Sequence, residues 1–361
     1  MKFTMPEYTA PDFFALGLGN SPDAKYIAVL KAGVAPANFH ATTIFPEYFR
    51  VGGEWLLLEQ SRMDGVVVLS EGNRLEVKEF RRLVVGDRVV VGRSEDGSEG
   101  IYVHATGFHR SDCEGDTFAF RTGRSRETAY SRDYDRLYEL LRYEKEHGYI
   151  VWVLGPAVVF DSDSKKAMIS LIENGYVDAI LAGNALATHD LEGAIFQTAL
   201  GQDIYTQQSC CNGHYHHLDV LNQAREHATL AEFVAAKNID ESVVAACVRT
   251  GTPIVLAGSI RDDGPLPEVV ADVYAAQNAM RQHAKQATTM ICLATQLHSI
   301  AAGNMTPAYQ AIDGQVRPVF LYSVDVSEFA VNKLKDRGSL EVTSIVTNIQ
   351  DFLVHIQREL V

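Results

Sequence analysis

Several groups of residues in this sequence have types and spacing suited to chemistry. Asp325 closes the apolar run 319–324 and is followed by Val326 and Ser327. An acid at a strand end can accept hydrogen bonds from the ribose of a dinucleotide, or it can simply cap the next helix. Asp262 and Asp263 are adjacent, with Arg261 before them and Gly264 after. Neighbouring carboxylates repel and can split their pKa values, which suits acid–base work or the binding of a substrate ammonium. The same pair also suits a solvated loop with one acid near a helix N-terminus. Cys210, Cys211, His214, His216 and His217 form a further group. Zinc needs converging ligands, and sequential pairs such as Cys210-Cys211 and His216-His217 point apart in a strand. This group is read as a polar loop lining a pocket, and no metal is expected. His298 also follows an apolar run, either facing a ligand or satisfied in the interior. Lys165 and Lys166 are read as a solvated helix face.

The elements that would position these residues are visible as a change of period. Residues 149–154, 177–182, 253–257, 290–294 and 319–324 are apolar runs of strand length, as expected of parallel strands buried on both faces. Helical patterns over 164–173, 191–200, 218–225 and 267–285 separate them, and Tyr134, Leu137, Tyr138 and Leu141 mark an earlier helix that Gly148 ends. A helix over 327–337, a short strand over 342–346 and a C-terminal helix complete the series. Strand alternating with helix predicts a doubly wound α/β domain over 129–361, whose ligands bind beyond the carboxyl ends of the strands. The residues expected there are Gly155-Pro156, Gly183-Asn184, 258–264, 295–298 and Asp325, and they are polar and glycine-rich. The Gly-x-Gly-x-x-Gly fingerprint is missing, because Gly17-Leu18-Gly19-Asn20-Ser21-Pro22 fails at its third position and follows no strand. An ordinary Rossmann dehydrogenase is therefore disfavoured. No Gly-x-Ser-x-Gly elbow and no P-loop support serine hydrolysis or phosphoryl transfer.

The first part of the chain differs. Residues 55–59, 65–70, 74–78, 87–91 and 100–104 are short β-like runs separated by turn formers at 71–73 and 95–98. They predict a small, mainly antiparallel domain over 38–128, its end (105–128) a charged, Gly- and Ser-containing linker; residues 1–37 receive no assignment. The length of 361 residues suits about two domains, and 47% apolar with 22% charged residues excludes disordered and fibrous classes. A net charge of −14 argues against nucleic acid or an anionic membrane surface as partner. The longest near-apolar run, 150–160, is short of the roughly 20 residues of a spanning helix. The first residues include Glu7 and Asp12 and lack the apolar stretch of a secretory signal. Five cysteines without a Cys-x-x-Cys pair fit a cytoplasmic protein with reduced thiols.

Longer strings carry a family likeness: Gly-Pro-Ala-Val-Val at 155–159, Gly-Tyr-Val-Asp-Ala at 175–179, Ala-Gly-Asn-Ala-Leu-Ala-Thr-His-Asp at 182–190 and Gly-His-Tyr-His-His-Leu at 213–218. Leu-Ala-Gly-Ser-Ile-Arg-Asp-Asp-Gly-Pro-Leu-Pro at 256–267 and Leu-Ala-Thr-Gln-Leu-His-Ser-Ile-Ala-Ala-Gly-Asn at 293–304 follow. From Asn38 onward the chain resembles the lysine-oxoglutarate reductase/saccharopine dehydrogenase (LOR/SDH) conserved-domain family. Its studied branch is the archaeal-type ornithine cyclodeaminase, also found as the C-terminal part of cyanobacterial arginine dihydrolase fusions. The resemblance implies a deoxyhypusine-synthase-like, Rossmann-related NAD-binding fold without the glycine fingerprint. It implies conversion of L-ornithine to L-proline and ammonia with bound NAD+. It places dinucleotide contacts at Asn184, Ala185, Asp263, Thr295, Gln296, Leu297, His298, Asp325, Asn348 and Ile349. Asn348 stands where the family has an acid, Gln296 where a methionine is more usual, and 305–317 form a longer link. The arginine-hydrolysing part of the fusions is absent, so the substrate expected is an amino acid without its guanidino group. Asp262 or Asp263 is expected beside the substrate ammonium, with His189 or His217 for proton transfer. The tetrameric habit of the fold relatives implies a homo-oligomer, a tetramer. The alternatives are a net NAD(P)-dependent amino-acid or imine oxidoreductase of saccharopine-dehydrogenase type, and a non-catalytic NAD-binding protein.

Overall fold

The computed structural model describes residues 3–109, 131–262, 264–327 and 339–361. Its core is a parallel sheet of β1 (Ile150–Leu154), β2 (Ala179–Gly183), β3 (Ile254–Ala257), β4 (Thr289–Leu293), β5 (Phe320–Asp325) and β6 (Glu341–Val346), in the order β3-β2-β1-β4-β5-β6. This is the doubly wound order, in which the chain starts at the centre, runs out to one edge and resumes on the other side. The reversal falls between β1 and β4, which pair from Ile150 with Thr289 to Leu154 with Leu293.

Side chains alternate across the strands and feed two cores. Ile150, Trp152 and Leu154 point to one face, where they join Leu137 of α1 (Ser131–His147), Met168 of α2 (Ser162–Glu173), Leu186 of α3 (Asn184–Phe196) and Val220 of α4 (His216–Ala224). Phe233 of α5 (Leu230–Lys237), Val243 of α6 (Val243–Thr250) and Phe352 of the C-terminal helix Ile349–Leu360 lie in the same core. Val151 and Val153 point the other way, onto Met280 of α7 (Val273–Ala284) and Met305 of α8 (Gln296–Met305).

Several boundaries differ from the sequence-based expectation. The helix expected over 191–200 starts at Asn184, directly off β2, and stops at Phe196, where Gln197 turns left-handed at φ 57°. The helix expected from 267 starts at Val273, because Asp272 caps it by accepting from Ala275 N at 2.7 Å. Helices α5 and α6 were not anticipated. The helix expected over 327–337 lies, beyond Ser327, outside the described residues, as does most of the 105–128 linker.

The first part of the chain forms small antiparallel sheets. Lys25–Ala28, Arg88–Val91, Val66–Leu69 and Leu75–Lys78 make one, and Glu54–Leu57, Glu47–Val51 and Ile101–Val103 another. The long link at 305–317 is a hairpin of Tyr309–Ile312 with Gln315–Pro318, and it pairs with Gln60–Ser61 of the first part. The Tyr309 hydroxyl donates to Leu58 O at 2.7 Å and accepts from Glu47 N at 3.2 Å, so the hairpin stitches the two parts together.

Candidate active site

At the switch point the carboxyl ends of β1 and β4 touch backbone to backbone. Gly155 N donates to Leu293 O at 2.8 Å, and a Cβ on Gly155 would lie 1.9 Å from Ala294 O. Only glycine fits there. Ala294 itself is left-handed at φ 49°, which turns the chain sharply from β4 into α8. At the end of β2, a Cβ on Gly183 would lie 2.8 Å from His298 Cε1, so the imidazole rests over that glycine. The ring is held through Nδ1 and Thr295 Oγ1 at 3.2 Å. Burial lowers the His298 pKa, against the opposing charge of Asp262, so the ring is neutral at neutral pH. Asn184 is buried, and its Oδ1 accepts from Leu266 N at 3.0 Å, tying β2 to the loop after β3. In that loop Asp262 accepts from Ser259 N at 2.7 Å.

Helix capping is distributed unevenly. Helices α2, α5, α6 and α7 begin with side-chain caps from Asp161, Thr229, Ser242 and Asp272, and the C-terminal helix with one from Asn348. Helix α3 behind Gly183, α8 behind Thr295 and the short 3-10 turn Pro156–Val159 behind Gly155 have none; nor has α4, which is entered through a 3-10 turn. The first three all sit at the carboxyl edge of the central strands. At α3 and α8, uncapped N–H groups with the positive end of the helix dipole are suited to an anionic group such as a diphosphate, whereas the 3-10 turn opens with Pro156 and its Val158 N–H is bonded to Gly155 O.

The remaining candidates fall around this edge. Asp325 ends β5 half-buried, with Oδ1 accepting from Ser327 N at 2.9 Å and no bond to the second oxygen among the described residues. Asn348, just past β6, accepts from Gln350 N at 2.8 Å and Asp351 N at 3.2 Å, so its oxygen is occupied as a helix cap and only its amide N–H groups remain. The Ile349 side chain packs into the core, which leaves its backbone to face a ligand. Ala185, Gln296 and Leu297 are exposed in the first turns of α3 and α8. Asp263 lies outside the described residues.

His189 and His217 come together on the α3–α4 side. Their ring centroids are 6.2 Å apart, and Phe160 meets His189 edge-on at 5.5 Å. His189 Nδ1 pairs with the buried Glu192 at 2.8 Å, and His217 Nδ1 is buried without a hydrogen-bond partner among the described residues. His216 bonds Thr198 Oγ1 through Nδ1 at 2.8 Å and stacks on Phe196. Glu192 was invisible to sequence reading because the helix was started seven residues late, hiding the i,i+3 pair with His189.

Lys165 corrects an expectation. It is not solvated but 4% exposed, with Nζ donating to Asp190 O at 3.0 Å. Asp190 in turn accepts from Val243 N and Val244 N at the start of α6. Only Lys166 is exposed, its ammonium over the Tyr205 ring. Among the described residues no cluster of His, Cys, Asp and Glu has the geometry of a metal site, and no helix is long and apolar enough to cross a membrane.

Comparison with known proteins adds to this geometry. Residues 137–356 match the family model described as arginine dihydrolase ArgZ-like, C-terminal, Rossmann fold, and residues 46–128 match its companion for the first region. The chain is 37% identical to an ornithine cyclodeaminase of Methanopyrus kandleri, over 91% of this chain and 76% of that protein. It is 36% identical to the bifunctional arginine dihydrolase/ornithine cyclodeaminase AgrE of Nostoc, over 94% of this chain and 47% of AgrE. Among solved structures, a conserved LOR/SDH protein of Methanococcus maripaludis superposes with a TM-score of 0.84 at 34% identity, over 94% of this chain and 98% of that one. A ternary complex of AgrE with ornithine and NAD+ superposes with a TM-score of 0.57 at 33% identity, over 96% of this chain and 48% of that one.

Proposed function

We propose that this chain, which belongs to the family of ArgZ-like C-terminal domains, is an ornithine cyclodeaminase that converts L-ornithine, or a related ω-amino α-amino acid, to L-proline or its cyclic counterpart and ammonia. The observation that carries the reading is the carboxyl edge at the switch point, where β1 and β4 meet backbone to backbone at Gly155 and α3 and α8 both start without side-chain caps. Its likeness to proteins named for this activity, one of them solved with ornithine and NAD+, supports the same substrate and cofactor. The residues present fit a dinucleotide: backbone N–H groups for the diphosphate and, at the end of β5, a carboxylate for a ribose. When bound, NAD+ supplies a reversible hydride acceptor, so it is needed but not consumed.

The chain's own residues have distinct tasks in this proposal. Asn184, Ala185 and the segment Thr295, Gln296, Leu297, His298 surround the diphosphate. Neutral His298 serves there as a hydrogen-bonding group that adds no charge. Asp325 accepts from the ribose hydroxyls, with the Asn348 amide and the Ile349 backbone just past the end of the neighbouring strand. Asp262 or Asp263 binds the substrate ammonium, and His189 or His217 moves the protons that cyclisation and ammonia release require. The test is an assay of purified protein with NAD+ and ornithine that follows ammonia and NADH absorbance together. The proposal expects ammonia to accumulate while the absorbance stays flat; NADH formed in step with ammonia would make the enzyme a dehydrogenase.

A further inference from the structure

We infer that Glu192 is a positioning residue that fixes the tautomer of His189 and leaves Nε2 as the ring nitrogen available to the site. The inference rests on the proposed reaction only for its kinetic consequence. Glu192 is fully buried and accepts at both carboxylate oxygens. Oε2 takes His189 Nδ1 at 2.8 Å and Leu200 N at 3.2 Å; Oε1 takes Thr198 Oγ1 at 2.8 Å and Gly201 N at 2.9 Å. An ionised carboxylate can only accept, so His189 Nδ1 must carry the hydrogen, and the lone pair of the neutral ring is on Nε2. Burial works against that ionisation, but the donors from His189, Gly201 and Thr198 outweigh it and hold the carboxyl below its ordinary value.

The arrangement exceeds what packing requires. The bonds from Thr198 and Gly201 to Oε1 already tie α3 to the turn that follows it. The His189 bond is additional, and it orients a ring that also meets Phe160 and His217. Beside that ring, His217 Nδ1 is buried with no hydrogen-bond partner among the described residues, a polar atom left unsatisfied. The other charged groups nearby face elsewhere. Lys165 is bound to Asp190, and His216 reaches Glu192 only through Thr198.

The test is nitrogen NMR of the histidine rings in the full chain, combined with steady-state kinetics. Wild-type His189 is expected with its hydrogen on Nδ1. In Glu192→Gln the amide oxygen can satisfy Thr198 and Gly201, which turns the amide N–H toward His189 and moves the ring hydrogen to Nε2. In that variant kcat should fall at least a hundredfold, while KM and NAD+ affinity stay within about twofold. Thr198→Val removes the hydroxyl's bonds to Glu192 and His216 but leaves the His189 pair, so it should keep kcat within a few-fold of wild type. Three results would overturn the inference: a wild-type hydrogen on Nε2, near-normal kcat in Glu192→Gln, or equal losses of kcat in both variants. If the wild-type protein does not turn over ornithine, the proposed reaction fails, yet the tautomer measurement still decides the role of Glu192.

Discussion

Asp325 and Asp262 are the residues at which binding and turnover separate most cleanly. Asp325 has one oxygen in a local turn and a second with no partner among the described residues, so Asp325→Ala should weaken NAD+ by about 1.5–3 kcal/mol, the range of a charge-assisted hydrogen bond. Isothermal titration checks it, and unchanged affinity would remove the acid from the cofactor site. Asp262→Asn preserves the acceptor for Ser259 N, so the loop should keep its shape and its melting temperature. Turnover should nevertheless fall at least a hundredfold, as for a general acid–base group, and Asp263→Asn is expected to behave alike. Near-normal rates in both variants would leave the loop as structure. The positions of Asp325 and Asp262 beyond strand ends were legible because each follows an apolar run that sequence marks clearly. Glu192 and Phe160 were not, since their importance comes from a helix start and a ring contact that no local pattern records.

Elements were legible in proportion to how uniformly they are buried. The strands of the sheet stood out because burial on both faces demands unbroken apolar runs. Helix α6 is hidden because Val243, Val244, Ala245, Ala246 and Cys247 form one unbroken buried run, and α5 because its buried Leu230, Phe233 and Val234 span only about two turns. The start of α3 escaped because Gly183 supplies no capping side chain, the same feature that leaves its N–H groups free for a ligand. Lys165 looked solvated because two adjacent lysines in a helix usually are. Its actual partner, Asp190, anchors the start of α6, so Lys165→Met strands a buried carboxylate and should cost about 3–5 kcal/mol. Urea unfolding measures that loss; a cost under about 1 kcal/mol would show that the two backbone donors suffice without the ammonium.

Across the whole molecule, the two parts of the chain are joined by the Tyr309 hairpin and by an ion cluster. Glu79, from the small β part, pairs with Arg62 and lies 2.7 Å from Arg281 of α7. Burial of Glu79 opposes its ionisation, but the two guanidinium groups prevail and hold its pKa below the ordinary 4.5. A carboxyl depressed on folding contributes stability above its unfolded value and loses it as pH falls through the folded one. Melting temperature should therefore be insensitive to this group near neutral pH and drop below about pH 4.5, less steeply in Glu79→Gln. An equal acid slope in both proteins would remove Glu79 as the cause. The edge strand Lys25–Ala28 is exposed throughout, beside the exposed Leu30, Val84 and Val85, an apolar patch of the kind subunits cover. Sedimentation should accordingly find a homo-oligomer, expected to be a tetramer, and a stable monomer at micromolar concentration would contradict it. The hairpin itself was seen only as a long link, because its pairing partner, Gln60–Ser61, is far away in sequence. The central claim is internal: the hydrogen that leaves Cα of the substrate returns to the product. Ornithine deuterated at Cα, incubated with the enzyme and NAD+ in ordinary water and analysed by mass spectrometry, tests it most directly. Proline that keeps its deuterium while NADH stays undetected is the predicted result; proline whose deuterium has been lost, or deuterium accumulating in NADH, would contradict the account.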